Sequence, residues 1–394
     1  MKKQTQAIHL EYERRDAYDS LSVPVYNTLA YEFDNAAVMA EAFTDKIKAP
    51  DYSRVENPTV TNLERRVAAL TDAAHATAFN SGMAAISNTL MALAAQGKNI
   101  VTSKHLFGNT YALLVATLRR FGVKVRLRDL TNIEAVREAI DDDTCCVFLE
   151  ILTNPQLEVA DLKAISEVAH EKNVPLVVDS TVIPFTQFSA KSLGVDIEVV
   201  SSSKYVSGGA TSLGGLVIDY GTPYNGDFAK RLYGEMLFYF GAYMTPQVAY
   251  MQTIGLETLD ARYRVQSSNA LELAKKLRSL PQIKYVNYVG LEDNPYHELA
   301  QRQFGKTAGA MLCIDLESKE ACFSFLNNLK LIHRATNLFD NRSLAIHPAS
   351  TIFGAFSESM RKSMDVKDTT IRLSIGLEDV DDLFEDIKQA VDSL

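Results

Sequence analysis

From Thr61 onward the chain alternates between short, strongly apolar runs and longer stretches whose apolar residues recur at helical spacing, and this alternation limits the possible folds more than any other feature. Candidate strands lie at 76–79, 99–102, 123–127, 144–149, 174–178 and 197–200. The stretch 161–172, with Leu162, Ile165, Val168 and Ala169 on one face, typifies the helices between them. Another helix carries Leu63, Val67 and Leu70 on one face, and Thr61-x-x-Glu64 reads as its capping box. Strands without polar alternation, separated by helices, predict a mainly parallel sheet covered on both faces.

The flanks differ. Residues 1–58 form a polar, irregular arm punctuated by Pro24, Pro50 and Pro58, of the kind that wraps a neighbouring subunit. The parallel-sheet pattern fills 59–245, the large domain. After about Met244 it gives way to a long helical region through Leu280, strand-like runs at 284–288 and 310–316, and an amphipathic helix carrying Val380, Leu383, Phe384, Ile387 and Val391. Residues 246–394 thus read as a smaller α/β domain. A chain of 394 residues with 47% hydrophobic and 23% charged content suits such a two-domain globular protein.

A net charge of −9 argues against a broad nucleic-acid or anionic-membrane surface, while leaving room for a local cationic pocket. No run of eighteen apolar residues occurs, and the opening MKKQTQAIHLEYERRD lacks the apolar centre of a signal peptide, so a cytoplasmic location is expected. Cys145 and Cys146 sit in the apolar run TCCVFLEIL and read as small buried side chains; Cys313 and Cys322 make no Cys-x-x-Cys pair. The histidines are scattered, so no metal site is expected.

Ligands of such sheets collect beyond the carboxyl ends of the strands. Two titratable residues fall there: Asp179, closing Leu176-Val177-Val178, and Lys204, following Val199-Val200-Ser201-Ser202-Ser203. A lysine kept partly unprotonated forms an imine with an aldehyde, and the commonest protein-bound aldehyde is pyridoxal phosphate. A carboxylate beside the pyridine nitrogen keeps it protonated, so the ring accepts electrons. Alone, each residue also has a plain reading, a solvated loop charge or a turn carboxylate. Ser201-x-x-Lys204 further has the spacing of serine-lysine acyl enzymes, but neither Ser-Asp-Asn nor Lys-Thr-Gly accompanies it. A phosphate has two candidate holders. Ser81 caps the helix that Gly82 and Met83 open, and Tyr52-Ser53-Arg54 offers a guanidinium. Hydroxyls at Ser201 and Ser203 add donors.

Taken in order, YSRVENPT at 52–59, NSGMAA at 80–85, FGNTY at 107–111, NP at 154–155, VDST at 178–181, SSSKY at 201–205, IHPAST at 346–351 and RLSIGLE at 372–378 span nearly the whole chain. In this set the chain resembles the pyridoxal-phosphate enzymes of cysteine and methionine metabolism, the group that includes cystathionine γ-synthase, cystathionine lyases, methionine γ-lyase and O-acetylhomoserine sulfhydrylase. The resemblance implies a type I, aspartate aminotransferase-like α/β fold. It makes Lys204 the cofactor's imine lysine and proton shuttle, Asp179 the pyridinium partner and Phe107 the ring that stacks on the cofactor. Ser81, Gly82, Met83, Ser201 and Ser203 would surround the phosphate, with Thr181 also at the cofactor. Tyr52 and Arg54 would reach it from a neighbouring subunit, implying a dimer, and usually a tetramer. Asn154 would touch the ring oxygen, and Arg372 would bind the substrate α-carboxylate with Asn154 and the Ser343 backbone.

Three departures narrow the substrate. Phe107 stands where most of the family has a tyrosine, so no phenol acts there, and Tyr111 is the nearest one in sequence. Ala112 replaces the arginine of cystathionine-handling members, and Asn109 stands where methionine γ-lyases carry a cysteine. The glycine segment 207–215 and IHPAST look most like the sulfhydrylase branch, which replaces the acetate of O-acetylhomoserine with sulfur to give homocysteine in methionine biosynthesis. The donor stays open among sulfide, a thiol and sulfur carried on a protein, as does acetyl against succinyl as leaving group. The alternatives are a methionine γ-lyase or a cystathionine γ-synthase on the same fold.

Overall fold

The computed structural model describes residues 1–10, 16–44, 46–306 and 308–394. Its first sheet has strands β1 (His75–Phe79), β2 (Asn99–Ser103), β3 (Lys124–Arg128), β4 (Thr144–Glu150), β5 (Leu176–Asp179), β6 (Ile197–Val200) and β7 (Gly215–Asp219), in the order β1-β7-β6-β5-β4-β2-β3. Strands β2 to β6 pair in parallel; β7 runs antiparallel to both β6 and β1. The expected strands are all present, within two residues at each end. β7 is additional: its run Gly-Leu-Val-Ile-Asp follows the glycine segment directly, and no helix separates it from that loop.

Alternation along the central strands sorts side chains to the two faces. Cys146 and Phe148 of β4, with Val177 of β5, join one apolar core beneath the helix Gly82–Leu93. Val147, Leu149, Leu176 and Val178 join the other, with Leu162, Ile165, Val168 and Ala169 of the helix Leu162–His170. Both faces are dry, which is why these strands lack polar alternation.

The helix carrying Leu63, Val67 and Leu70 starts earlier than expected, at Pro58, and those three residues are buried. Thr61-x-x-Glu64 is not its capping box. Asn57 is the N-cap and accepts from the Thr59 amide at 3.0 Å. The Glu64 side chain instead reaches across to accept from the Ala78 amide on β1 at 2.8 Å, and burial pushes its carboxyl up to about 8. Proline at the first helical position, where no amide hydrogen is needed, explains the earlier start.

The region 244–280 divides into the helices Pro246–Glu257 and Leu259–Leu277. Beyond it a second sheet, β8 (Tyr285–Asn287), β9 (Met311–Asp315), β10 (His333–Arg334), β11 (Leu344–Ile346) and β12 (Thr370–Ser374), has the order β10-β11-β12-β9-β8. The helix Val380–Val391 packs against the helices Leu259–Leu277 and Lys319–Asn328, with Leu383, Ile387 and Val391 buried. At the other terminus, the helix Lys3–His9 docks on its own chain. Lys3 Nζ donates to the carbonyls of Phe185 and Phe188 at 3.3 and 2.9 Å, and Arg66 donates to the Ala7 carbonyl at 2.7 Å. Among the described residues no helix is long and apolar enough to cross a membrane.

Candidate active site

Strands β5 and β6 are neighbours, and each delivers one of the two expected residues at its carboxyl end. Asp179 is the last residue of β5. Its carboxylate accepts from the Thr181 amide at 2.9 Å, while burial pushes its pKa upward. Thr181 Oγ1 accepts from the Ser201 amide at 2.8 Å, so one threonine ties the end of β5 to the loop leaving β6. Lys204 ends that loop, and its Nζ donates to Asn337 Oδ1 at 2.7 Å. Burial, aided by the charge of Arg372, lowers its pKa to about 8. An ordinary lysine holds its proton to about 10.4, so this amine is far more available as a nucleophile near neutrality.

The residues expected around a phosphate meet at one helix end. Ser81 caps the helix Gly82–Leu93, its hydroxyl accepting from the Ala84 amide at 3.1 Å, and Gly82 and Met83 occupy the helix's open end. A Cβ on Gly82 would lie 2.6 Å from Ser201 Cβ and 2.7 Å from its Oγ, so only glycine lets this helix approach the β6 loop so closely. Helix amides and a hydroxyl converge there, a donor set that suits a phosphate. Ser203 differs from expectation. Its hydroxyl donates to the Gly214 carbonyl at 3.1 Å and accepts from the Gly214 amide at 2.9 Å, which commits it to the glycine segment.

Arg372 projects from β12 and is 3% exposed. One terminal nitrogen donates to Asn154 Oδ1 and the other to the Asn337 carbonyl, each at 3.2 Å. Its Nε has no partner. Burial lowers its pKa to about 10. A buried guanidinium without a countercharge is costly and is a ready seat for a carboxylate.

Ser343 is not part of this group. Its amide donates to Glu378 Oε1 at 2.6 Å, its hydroxyl to Glu378 Oε2 at 2.8 Å, and its carbonyl accepts from the His333 amide at 3.1 Å. The residue of that loop that meets both Lys204 and Arg372 is Asn337, which sequence reasoning missed. Phe339 holds the loop in this shape. It adopts φ +58°, stacks on Tyr205 at 3.9 Å between ring centroids, and its amide donates to Ser374 Oγ at 2.7 Å. A bulky residue in left-handed conformation signals a tightly specified loop.

Phe107 precedes the short helix Gly108–Ala112, and its amide donates to Glu150 Oε1 at 2.5 Å. Tyr111 is buried edge-on to Phe356, with centroids 5.9 Å apart.

Tyr52 and Arg54 stand apart from these residues. They line a groove of about 330 Å³ with Phe33, Met39, Phe43 and Phe238. The Arg54 guanidinium lies over the Tyr52 and Phe238 rings, at 5.5 and 5.3 Å, and donates to the Phe238 carbonyl. Tyr52 is 41% exposed.

Residues 4–392 match the model of the Cys/Met metabolism PLP-dependent enzymes. An L-methionine gamma-lyase of Fusobacterium nucleatum is 36% identical over 99% of this chain and 98% of its own. O-acetyl-L-homoserine sulfhydrylase 1 of Thermus thermophilus is 34% identical over 99% of this chain and all of its own. A crystal structure of a putative O-acetylhomoserine (thiol)-lyase from Campylobacter jejuni, carrying a pyridoxyl-lysine monophosphate at its position 205, superposes with a TM-score of 0.95 at 35% identity, both chains fully covered. The buried amine, the glycine-lined cradle and the incompletely paired guanidinium suit such a cofactor and an amino-acid substrate, and with these likenesses they establish that the chain belongs to the pyridoxal-phosphate-dependent enzymes of Cys/Met metabolism.

Proposed function

We propose that this enzyme replaces the γ-acetoxy group of O-acetyl-L-homoserine with a sulfur nucleophile, giving homocysteine and acetate, as a step of methionine biosynthesis. The observation that carries this reading is the turn from Phe107 to Ala112, which has neither the cysteine of methionine γ-lyases nor the arginine of cystathionine-handling members. The Thermus sulfhydrylase, similar along its whole length, supports it.

Arg372 binds the substrate α-carboxylate through its free Nε and the edge it shares with Asn154 and Asn337. The Gly82 and Met83 amides and the Ser201 hydroxyl hold the cofactor phosphate, Phe107 stacks on the ring, and Thr181 supports the loop beneath it. Asp179 keeps the pyridine nitrogen protonated. The bound cofactor supplies a conjugated electron sink for the carbanions formed at Cα and Cβ. Lys204, freed when the substrate's amine takes its place, moves the protons at these carbons. The lowered pKa suits both taking and returning them. The C–O bond at Cγ breaks with departure of acetate, and a C–S bond forms at the same carbon.

Tyr52 and Arg54 complete the phosphate site of a second subunit, so the working unit is a dimer, and two dimers make the tetramer usual for the family. The sulfur donor is sulfide or a related carrier of reduced sulfur.

The Fusobacterium relative favours a second reading, elimination from methionine. Incubation with O-acetylhomoserine plus sulfide, and separately with methionine alone, decides between them. Homocysteine formation in the first and negligible ketoacid in the second is expected. Ketoacid and thiol release from methionine at a comparable rate would replace the proposal with the lyase.

A further inference from the structure

Glu150 ends β4 as Asp179 ends β5, and the two are partners across the parallel pair. Paired residues of parallel strands project to the same face. The alternation agrees: Phe148, two residues before Glu150, and Val177, two before Asp179, enter the same core. Glu150 is 6% exposed, and none of the roles assigned above uses it. Its carboxyl is held by main-chain donors, the Phe107 amide at 2.5 Å and the amide of Asn154. Among the ion pairs of the described residues none involves Glu150. Burial, reinforced by Asp179, pushes its pKa up to about 8.

We propose that Glu150 is a positioning residue that holds Phe107 and Asn154 in register with Asp179 around the cofactor ring. Three segments contribute to that ring's surroundings: the loop after β2, the loop after β4 and the end of β5. Glu150 touches all of them. It fixes Phe107 and Asn154 through their backbone nitrogens, leaving the phenyl ring to meet the cofactor and the carboxamide to meet Arg372 and the cofactor. Its own carboxyl, raised to about 8, is mostly protonated near neutrality. What matters is then the reach of an uncharged acceptor rather than a second anion, and glutamine supplies that reach while aspartate, one methylene shorter, does not.

This inference rests on the cofactor placement proposed above. The test uses the holoenzyme with Glu150→Gln, Glu150→Asp and Glu150→Ala. Three readouts are taken: circular dichroism of the cofactor's visible band per bound cofactor, cofactor affinity by dialysis, and the split between kcat and KM. Glu150→Gln should stay within about twofold of the parent, whereas Glu150→Asp and Glu150→Ala should lose at least half of the visible dichroism and about tenfold in cofactor affinity, the scale of one buried neutral hydrogen bond. For both, kcat should fall more than KM rises. If Glu150→Ala does not fold, the glutamine–aspartate contrast decides alone. Three variants indistinguishable from the parent would overturn the proposal, as would an unimpaired aspartate beside an impaired glutamine. A parent protein in which borohydride fixes no cofactor on Lys204 would instead overturn the underlying placement.

Discussion

The two arginines expected at the site occupy opposite environments. Arg372 is 3% exposed, grips Asn154 and Asn337, and keeps a buried nitrogen unpartnered. Arg54 lies against two aromatic rings beside a 41% exposed tyrosine, in a groove lined by the arm and Phe238. A buried, incompletely paired cation marks a site that its own chain assembles and a ligand finishes. An arginine stacked on exposed aromatic rings beside an apolar groove is a surface suited to receive another body. In the proposed dimer, each chain then holds most of one active site and lends Tyr52 and Arg54 to its neighbour's.

Removing Arg372 should produce the largest effect. Arg372→Leu is expected to lower kcat/KM by about 10²- to 10³-fold, mainly through KM, because a desolvated charge pair with the substrate carboxylate is worth roughly 3–4 kcal/mol. Steady-state kinetics with the cofactor saturating check this. An unchanged KM would place the carboxylate elsewhere.

Arg54→Ala should act on the cofactor instead. Retention should fall about tenfold, as expected for one lost guanidinium–phosphate contact, with less change in substrate KM. Dialysis followed by absorbance of the remaining cofactor measures it. A change in KM with full retention would move Arg54 from the phosphate to the substrate.

The smallest effect concerns pH. Lys204 has its pKa lowered to about 8, first by burial and then by Arg372. The free amine is the reactive form, so the rate at which cofactor-free enzyme takes up pyridoxal phosphate should rise with pH and level off above about 8. Deleting the neighbouring cation favours the protonated amine, so Arg372→Leu should move the midpoint upward. Stopped-flow absorbance across pH 6–10 follows both, and a midpoint that stays put would remove Arg372 from the lysine's surroundings.

Much of this was legible in the sequence, because the strands carry continuous apolar runs and their ends are marked by Asp179 and Lys204. Gly82 was legible too, since a serine cap followed by glycine announces an open helix end. Other features need three dimensions. Glu150 reads as an ordinary strand-end carboxylate until the β4–β5 register sets it beside Asp179. Asn337 lies between β10 and β11, strands of two and three residues, where no periodic pattern fixes which loop residue turns inward; the family resemblance implied Ser343, which Glu378 holds elsewhere. The capping box at Thr61 was misplaced because Asn57-Pro58 starts the helix one turn earlier and frees Glu64 for β1.

The division between the two arginines is tested most directly by complementation. Arg54→Ala and Lys204→Ala proteins are unfolded together, refolded as a mixture and assayed at a cofactor concentration too low to load the Arg54→Ala site, with hybrid assembly confirmed by mass. A symmetric dimer with shared sites predicts that each hybrid regains one intact site, so the mixture should recover up to about a quarter of the parent's activity. Confirmed hybrids with no activity above the separate variants would contradict it.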